Sequence, residues 1–427
     1  MTENGSLIPN RSPEETIKQF QTYLRKYEND DKLIIHEAVD KPGSKLGDNY
    51  TSLMIRTKVV GTRGDGSPYS KTFMTKIIQP NKNISSIINL SELFHIEKHA
   101  YTKVLPVFGP FGPSCIYADE NTIIMEDLAE KGYVNCERRN YLDLDHTVFA
   151  LKKLAKFHAV GLGIKFNNPK QFDTLTSDIK EMIYRDDSKT AVMRSCTESY
   201  MKSIIQYLDI IEPRTEAVET IKDYIVTNTE KMYDMLRPLF VSPKRRYETI
   251  CHGDPWTNNL LFLHNNDGKI IDLKLVDYQI LRYTSVTTDF LYFMYSSVRS
   301  SLIERSFESL VKIYHNELLN ELRRLHVHEK ILAEFGAEWL EAEFKIYSLY
   351  GLIIGCAFIN PILAEEDELK KFQTINFMED NLAYENYLSS IMNQKKCERV
   401  KTIVLHFYKR FHQGIIDDDI EPIPVTD

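Results

Sequence analysis

Ile17, Phe20, Tyr23 and Leu24 recur at helical spacing behind Ser12-Pro13-Glu14-Glu15. A serine before a first-turn proline and early glutamates marks a helix start, so the pattern predicts a helix over 12–29. Residues 32–36 read as a short strand and 41–50 as a loop. Residues 51–60 and 70–78 are rich in apolar and β-branched positions on either side of a glycine-bearing turn, which predicts a hairpin. Leu90, Phe94, Glu97, Ala100 and Tyr101 fall three and four apart and predict a helix over 87–104, before short strands over 114–117 and 122–125. The opening 130 residues therefore describe a mainly antiparallel sheet with one inserted helix.

From His146 onward the periodicity is helical: Phe149, Leu151, Leu154, Ala155 and His158 mark a helix over 147–160, and further helices are expected over 174–238. The pattern changes at 247–293, where two strand-like runs flank a polar turn, and then becomes helical again up to an acidic tail at 414–427. No Gly-, Pro- or Ser-rich linker divides the chain, which favours two closely associated lobes over independent domains. The uncharged run 346–364 is nearly long enough to span a bilayer. It contains Ser348, Asn360 and Pro361 and runs into Glu365-Glu366-Asp367, so it reads as a buried helix ending near Asn360-Pro361, with no membrane insertion.

Composition narrows the class. Over 427 residues, 53 basic and 61 acidic side chains leave a net charge of −8 with no long basic tract, which argues against a nucleic-acid-binding surface. A hydrophobic content of 43% with 27% charged residues is that of a soluble globular protein. Six cysteines without a CxxC pair read as reduced thiols. The start Met1-Thr2-Glu3-Asn4-Gly5 has no basic segment leading into an apolar one, so a cytoplasmic protein is expected.

The densest chemistry lies in the loop segment 251–263, where His252, Asp254, Asn258 and Asn259 stand between two strand-like runs. The next run, 269–279, ends in Asp277-Tyr278-Gln279. Phosphoryl transfer needs a carboxylate to orient an acceptor hydroxyl and finally take its proton, and an amide oxygen with a second carboxylate to hold Mg²⁺ against polyphosphate oxygens. Asp254 suits the first role, Asn259 and Asp277 the second, and His252 braces the loop by hydrogen bonds. Strand alternation puts Ile271, Leu273, Leu275 and Asp277 on one face and Asp272 with Lys274 on the other, so Asp277 is preferred for the metal and Asp272 is expected to face solvent.

His252-x-Asp254-x4-Asn259 resembles the catalytic loop of the protein-kinase-like small-molecule phosphotransferases, the superfamily of choline kinases and aminoglycoside phosphotransferases. Asp277-Tyr278-Gln279 resembles their metal-binding segment, with Tyr278 where Phe is usual, a change that leaves the metal carboxylate intact. The closer likeness is to the insect ecdysteroid-kinase-like (CHK-kinase-like) family. It is carried by Gly47-Asp48-Asn49-Tyr50-Thr51-Ser52, Ile123-Ile124-Met125-Glu126-Asp127-Leu128, Leu154-Ala155-Lys156-Phe157-His158-Ala159, the 252–259 loop, Leu275-Val276-Asp277-Tyr278-Gln279 and Thr288-Asp289-Phe290-Leu291-Tyr292-Phe293. Each motif is weak alone; their joint presence and order over about 30–370 are specific.

The resemblance implies an α+β, two-lobed protein-kinase-like fold: an N-terminal antiparallel sheet with one main helix, and a larger, mainly helical C-terminal lobe. The implied organisation is a helical extension over 1–29, a nucleotide-binding lobe and hinge over 30–128, a helical lobe over 129–413 with catalytic loop 251–263 and metal segment 275–279, and the tail 414–427. ATP and Mg²⁺ are the implied cofactors. Lys76 would cradle phosphates with Glu97 as its helix partner and Glu92 as the fallback, and Ser44, Gly47 and Asn49 would lie over the phosphates. Adenine would meet the backbone of Glu126 and Leu128, and Asp289 would buttress the catalytic loop, with a helix cap as the alternative. His158 reads as a packing histidine. The implied activity is phosphorylation of a small, apolar alcohol, with an ecdysteroid the named acceptor. Xenobiotic alcohols, a choline-like substrate and a ligand-binding pseudokinase stay open as alternatives. The helical insertion over 167–247 disfavours a protein substrate. No residue pattern speaks to oligomeric state.

Overall fold

The structure, a computed structural model, describes residues 12–43, 52–78, 88–241, 244–368, 371 and 381–412. Ser44, Gly47, Asn49 and the tail 414–427 lie outside the described residues. The chain divides into two compact units, Met1–Val134 with Leu261–Gln279, and Asn135–Leu260 with Ile280–Asp427. Their architectures are those expected: an N-terminal sheet with few helices, and a larger, mainly helical C-terminal region, in a two-lobed kinase-like fold.

The first unit is built on strands β1 (Ile34–Pro42), β2 (Ser52–Thr62), β3 (Pro68–Ile78), β4 (Cys115–Ala118) and β5 (Thr122–Glu126). They pair antiparallel in the order β1-β2-β3-β5-β4. The hairpin arms are longer than predicted because the β2–β3 ladder runs from Ser52↔Ile78 to Thr62↔Pro68. Gly61 permits this continuation: a Cβ there would lie 2.2 Å from the Ile34 carbonyl oxygen of the neighbouring strand. Lys41 and Pro42, expected in a loop, close β1 instead. Pro42 is tolerated because β1 is an edge strand, where a missing N–H need not interrupt a central ladder. Helix α1 (Pro13–Glu28) starts with the reciprocal Ser12–Glu15 capping box and buries Phe20 and Leu24 against Leu33, Ile35, Val59, Tyr69, Phe73 and Ile124.

Helix α2 (Leu90–His99) carries Glu97. It does not simply end near Val104 as periodicity suggested: it passes into a π turn at Ala100–Val104 and a further turn at Leu105–Phe108 before stopping at Gly109, φ 105°. Pro106 explains the change, since its missing N–H cannot continue an α-helical ladder and the wider turn shifts the register ahead of it. The unit is completed by β6 (Tyr133–Asn135), β8 (Leu260–His264) and β9 (Ile270–Leu275), in the order β6-β8-β9.

In the second unit, α3 (Leu144–Asn167) is capped by Asp143 and longer at both ends than the predicted 147–160. Helices α4 (Thr190–Ile210) and α5 (Glu216–Asn228) occupy the expected helical insertion. Strands β7 (Thr249–Cys251) and β10 (Arg282–Thr284) pair antiparallel. Helices α6 (Val286–Ser297), α7 (Ser300–Arg324), α8 (Ala337–Ala357) and α9 (Gln394–Phe411) follow. Every residue of α6 is buried. The helical run Ala337–Leu363 has the length and composition of a bilayer-crossing segment, and 72% of its apolar window is buried in the protein. Gly351 and Gly355 admit α6, since a Cβ at either would press to within 3 Å of Leu291 or Tyr295. α8 stops at Ala357, three residues before the predicted end near Asn360. Pro361 has no N–H to bond the carbonyl four residues back, which is that of Ala357.

Candidate functional site

The loop after β7 owes its shape to one glycine and one buried aspartate. Gly253 has φ 84°, and a Cβ there would lie 1.9 Å from the Ile280 carbonyl oxygen, so no side chain fits. Asp289, in the first turn of α6 and 1% exposed, accepts the His252 N–H through Oδ2 at 2.7 Å and the Gly253 N–H through Oδ1 at 2.9 Å. His158 Nε2 lies 3.0 Å from the same Oδ2, and His158 Nδ1 lies 2.7 Å from the Tyr314 hydroxyl. Burial by itself would raise the Asp289 pKa, but the hydrogen bond from His158 and the Gly253 N–H hold it below the ordinary carboxylate range. Asp289 is thus a buttress of the loop backbone, and His158 is a buried histidine with both ring nitrogens engaged.

His252 is fully buried and accepts the Asp254 N–H at Nδ1, 3.3 Å, a bracing contact within the loop. Asp254 presents its carboxylate with both oxygens oriented. The Tyr292 hydroxyl donates to Oδ1 at 2.5 Å and Asn259 Nδ2 donates to Oδ2 at 3.0 Å. Asn259 Nδ2 also donates to the Asp254 carbonyl oxygen at 2.9 Å. Because both of those partners are acceptors, the amide nitrogen must face them, which turns the Asn259 carbonyl oxygen the other way.

In the first unit, Lys76 on β3 is 3% exposed between Met54 of β2 and Ile123 of β5. Its Nζ lies 2.6 Å from Glu97 Oε2 and 2.7 Å from Asp277 Oδ1. Burial alone would lower the Lys76 pKa, yet the Asp277 and Glu97 carboxylates hold the ammonium above its ordinary range. Burial pushes the Glu97 carboxyl up against the pull of Lys76, and the Asp277 charge adds to the rise. The Asp277 side chain is 22% exposed, against 4% for Lys76 and 1% for Glu97, so it is the accessible member of the three.

This pairing predicts a pH signature. The folded Glu97 carboxyl keeps its proton to higher pH than the unfolded one, so its contribution to stability is complete below the ordinary 4.5 and is lost as pH rises toward about 7. Glu97→Gln removes that titration. Melting curves across this window should show the variant gaining on the parent as pH rises, by on the order of 1 kcal/mol or more. A difference that stays flat with pH would show that Glu97 is ionised throughout.

Asp277 reaches Lys76 by a route that strand alternation did not anticipate. β9 ends at Leu275, and Asp277 lies beyond it in the left-handed region, φ 66°. Aspartate tolerates that region better than most residues, and such strain gathers at functional sites. Ile271, assigned to the buried face, is 53% exposed near the strand's start. Asp272, assigned to solvent, accepts a hydrogen bond from the Tyr133 hydroxyl at 2.6 Å and faces Lys274 at 3.5 Å. Its side chain is 31% exposed, so it keeps part of the solvent contact expected of it while also serving as an acceptor.

Glu126 donates its N–H to the Ser114 carbonyl at 3.0 Å, while its carboxylate takes the Ser114 N–H at 2.9 Å and pairs with Lys131. Its N–H is thus already engaged where a backbone contact to adenine is expected of it. Leu128 opens a 3-10 turn capped by Asp127, where early N–H groups have no intrahelical acceptor. The structure therefore brings Lys76, Glu97 and Asp277 together in one unit, and His252, Asp254 and Asn259 together in the other. It adds Tyr292, which the sequence reading passed over. Tyr292 stands one helical turn beyond Asp289, and that three-residue spacing was the available signal.

Carboxylate and amide oxygens are the hard donors Mg²⁺ prefers; Asp277 offers the first in one unit, and in the other the orientation of Asn259 leaves its amide oxygen turned away from Asp254. His158, Cys251 and Asp289 also bring ligand atoms within 4.8 Å of one another. The His158 and Asp289 atoms are already committed to the hydrogen bonds described above, so this cluster reads as loop support.

A family model described as the ecdysteroid kinase-like family matches residues 46–327, more than half of the chain. No curated protein matches the chain.

Proposed function

The chain belongs to the ecdysteroid kinase-like family, and from that premise we propose that it transfers the γ-phosphoryl group of ATP to the hydroxyl of a small apolar alcohol, an ecdysteroid being the leading acceptor. The observation that carries this reading is the buried Lys76 held at once by Glu97 and Asp277. A lysine fixed on a central strand by a helix carboxylate, with a second, more accessible carboxylate beside it, is what nucleotide phosphates and their metal require.

Lys76 would meet phosphate oxygens, with Glu97 fixing its direction. Asp277 and Asn259 would hold Mg²⁺, which when bound neutralises charge on the polyphosphate. Asp254 would orient the acceptor hydroxyl for in-line attack. The bond from the γ-phosphorus to its bridging oxygen breaks, a bond to the acceptor oxygen forms, and the acceptor's proton passes to Asp254 and then to water. Positioning and charge carry most of such a reaction, so no covalent enzyme intermediate is invoked. The cytoplasm is the proposed compartment.

The test is direct. The protein is incubated with Mg²⁺-ATP and a panel of ecdysteroids, other sterols, plant phenolics, glycosides and choline, and products heavier by one phosphoryl group are sought by mass spectrometry. An ecdysteroid phosphate supports the full reading. Phosphorylation of a different alcohol keeps the chemistry and replaces the acceptor. Mg²⁺-dependent ATP binding without any product would favour the pseudokinase.

A further inference from the structure

Helix α6 grips the catalytic loop at two levels. Asp289 pins the backbone N–H groups of His252 and Gly253. One turn later Tyr292 reaches the side chain of Asp254, its hydroxyl 2.5 Å from Oδ1. The two residues are three apart and therefore share a helix face. The far end of α6 is fixed as well: fully buried Arg399 of α9 donates to the Met294 and Tyr295 carbonyl oxygens at 3.1 and 2.6 Å.

Tyr292 is 3% exposed, and its ring lies 5.5 Å from that of Phe358. Burial, and after it the Asp254 charge, hold its phenol well above the ordinary pKa, so it stays a donor. The phenol holds Oδ1 and the amide holds Oδ2, so each carboxylate oxygen has its own donor. Together they fix the rotation of the carboxylate plane.

Resting on the reading of Asp254 as the group that orients the acceptor, we infer that Tyr292 is a positioning residue for phosphoryl transfer, holding the Asp254 carboxylate in its reactive orientation. An orienting hydrogen bond of this kind acts on turnover more than on affinity.

The test is a double-mutant cycle with Tyr292→Phe, Asp254→Asn and both together. Phosphoryl transfer from Mg²⁺-ATP is followed with the alcohol panel above and, in parallel, with water as acceptor through ADP release. Tyr292→Phe should lower kcat by about 10- to 100-fold while the KM for ATP stays within about 2-fold. That loss should disappear in the Asp254→Asn background, because the group being positioned is gone. An equal loss in both backgrounds, or an unchanged kcat, overturns the inference. If Asp254→Asn itself turns over like the parent, the assigned role of Asp254 fails, whatever Tyr292 does.

A second measurement covers poor folding of Tyr292→Phe and absence of turnover. With 3-fluorotyrosine installed at position 292, the ¹⁹F resonance should move when Asp254 becomes asparagine. An unmoved resonance overturns the contact itself.

Discussion

Asp254→Asn is expected to slow phosphoryl transfer by about 10³-fold, with Mg²⁺-ATP binding close to that of the parent and a small loss of thermal stability. The size follows from the role: an amide can neither orient a hydroxyl through an anionic oxygen nor take its proton. The fold should tolerate the change. The asparagine carbonyl can accept from Asn259 Nδ2, where Asp254 Oδ2 now does, and the new amide can donate to the Tyr292 hydroxyl, whose oxygen has lone pairs to spare. The buried phenol O–H then gives up its acceptor, which costs about 1–3 kcal/mol. Calorimetric titration with Mg²⁺-ATP, beside the turnover assay, separates the two effects. A variant that binds normally and turns over normally would remove Asp254 from the mechanism. One that loses ATP binding would show that Asp254 serves the nucleotide instead of the acceptor.

The 252–259 constellation was readable in the chain because its residues are local. His252, Asp254 and Asn259 are separated by a few residues on one loop, so spacing alone sets their neighbourhood. The Lys76–Glu97 pair was reached through the resemblance, with helical spacing from Phe94 and Tyr101 favouring Glu97, and the two side chains meet in one unit. Asp277 was found for a partly mistaken reason. Alternation was carried two residues past the end of β9, whereas a left-handed backbone at φ 66° aims the side chain. Single φ reversals leave little trace in hydrophobic periodicity. Tyr292 escaped for the opposite reason: α6 is buried on every side, so no polar stripe marks which of its residues face the loop. In such a helix only spacing from an already suspected residue, here Asp289, is informative. The π turn after Glu97 and the early end of α8 were both written in prolines, Pro106 and Pro361, whose effect falls several residues before their own positions.

Asp289→Ala is expected to destabilise the protein by about 3–5 kcal/mol, read from denaturant midpoints. The aspartate receives three donors in a dry environment: the His252 N–H at 2.7 Å, the Gly253 N–H at 2.9 Å and His158 Nε2 at 3.0 Å. Alanine leaves all three buried without an acceptor, and each such orphan costs about 1–3 kcal/mol. Asp289→Asn should fall between alanine and the parent, since one amide oxygen can still accept while the new –NH₂ faces a donor. The parent also carries a pH dependence that alanine lacks. The folded Asp289 pKa is depressed, so its contribution is present above the ordinary 3.8 and is lost as pH falls below that value. Parent and alanine variant should therefore converge in stability as the solution is acidified. A loss under about 1 kcal/mol at neutral pH would mean that the loop amides find water once the carboxylate is gone. Burial argues against that outcome: His252 is fully buried and Asp289 is 1% exposed, so bulk water does not reach these amides.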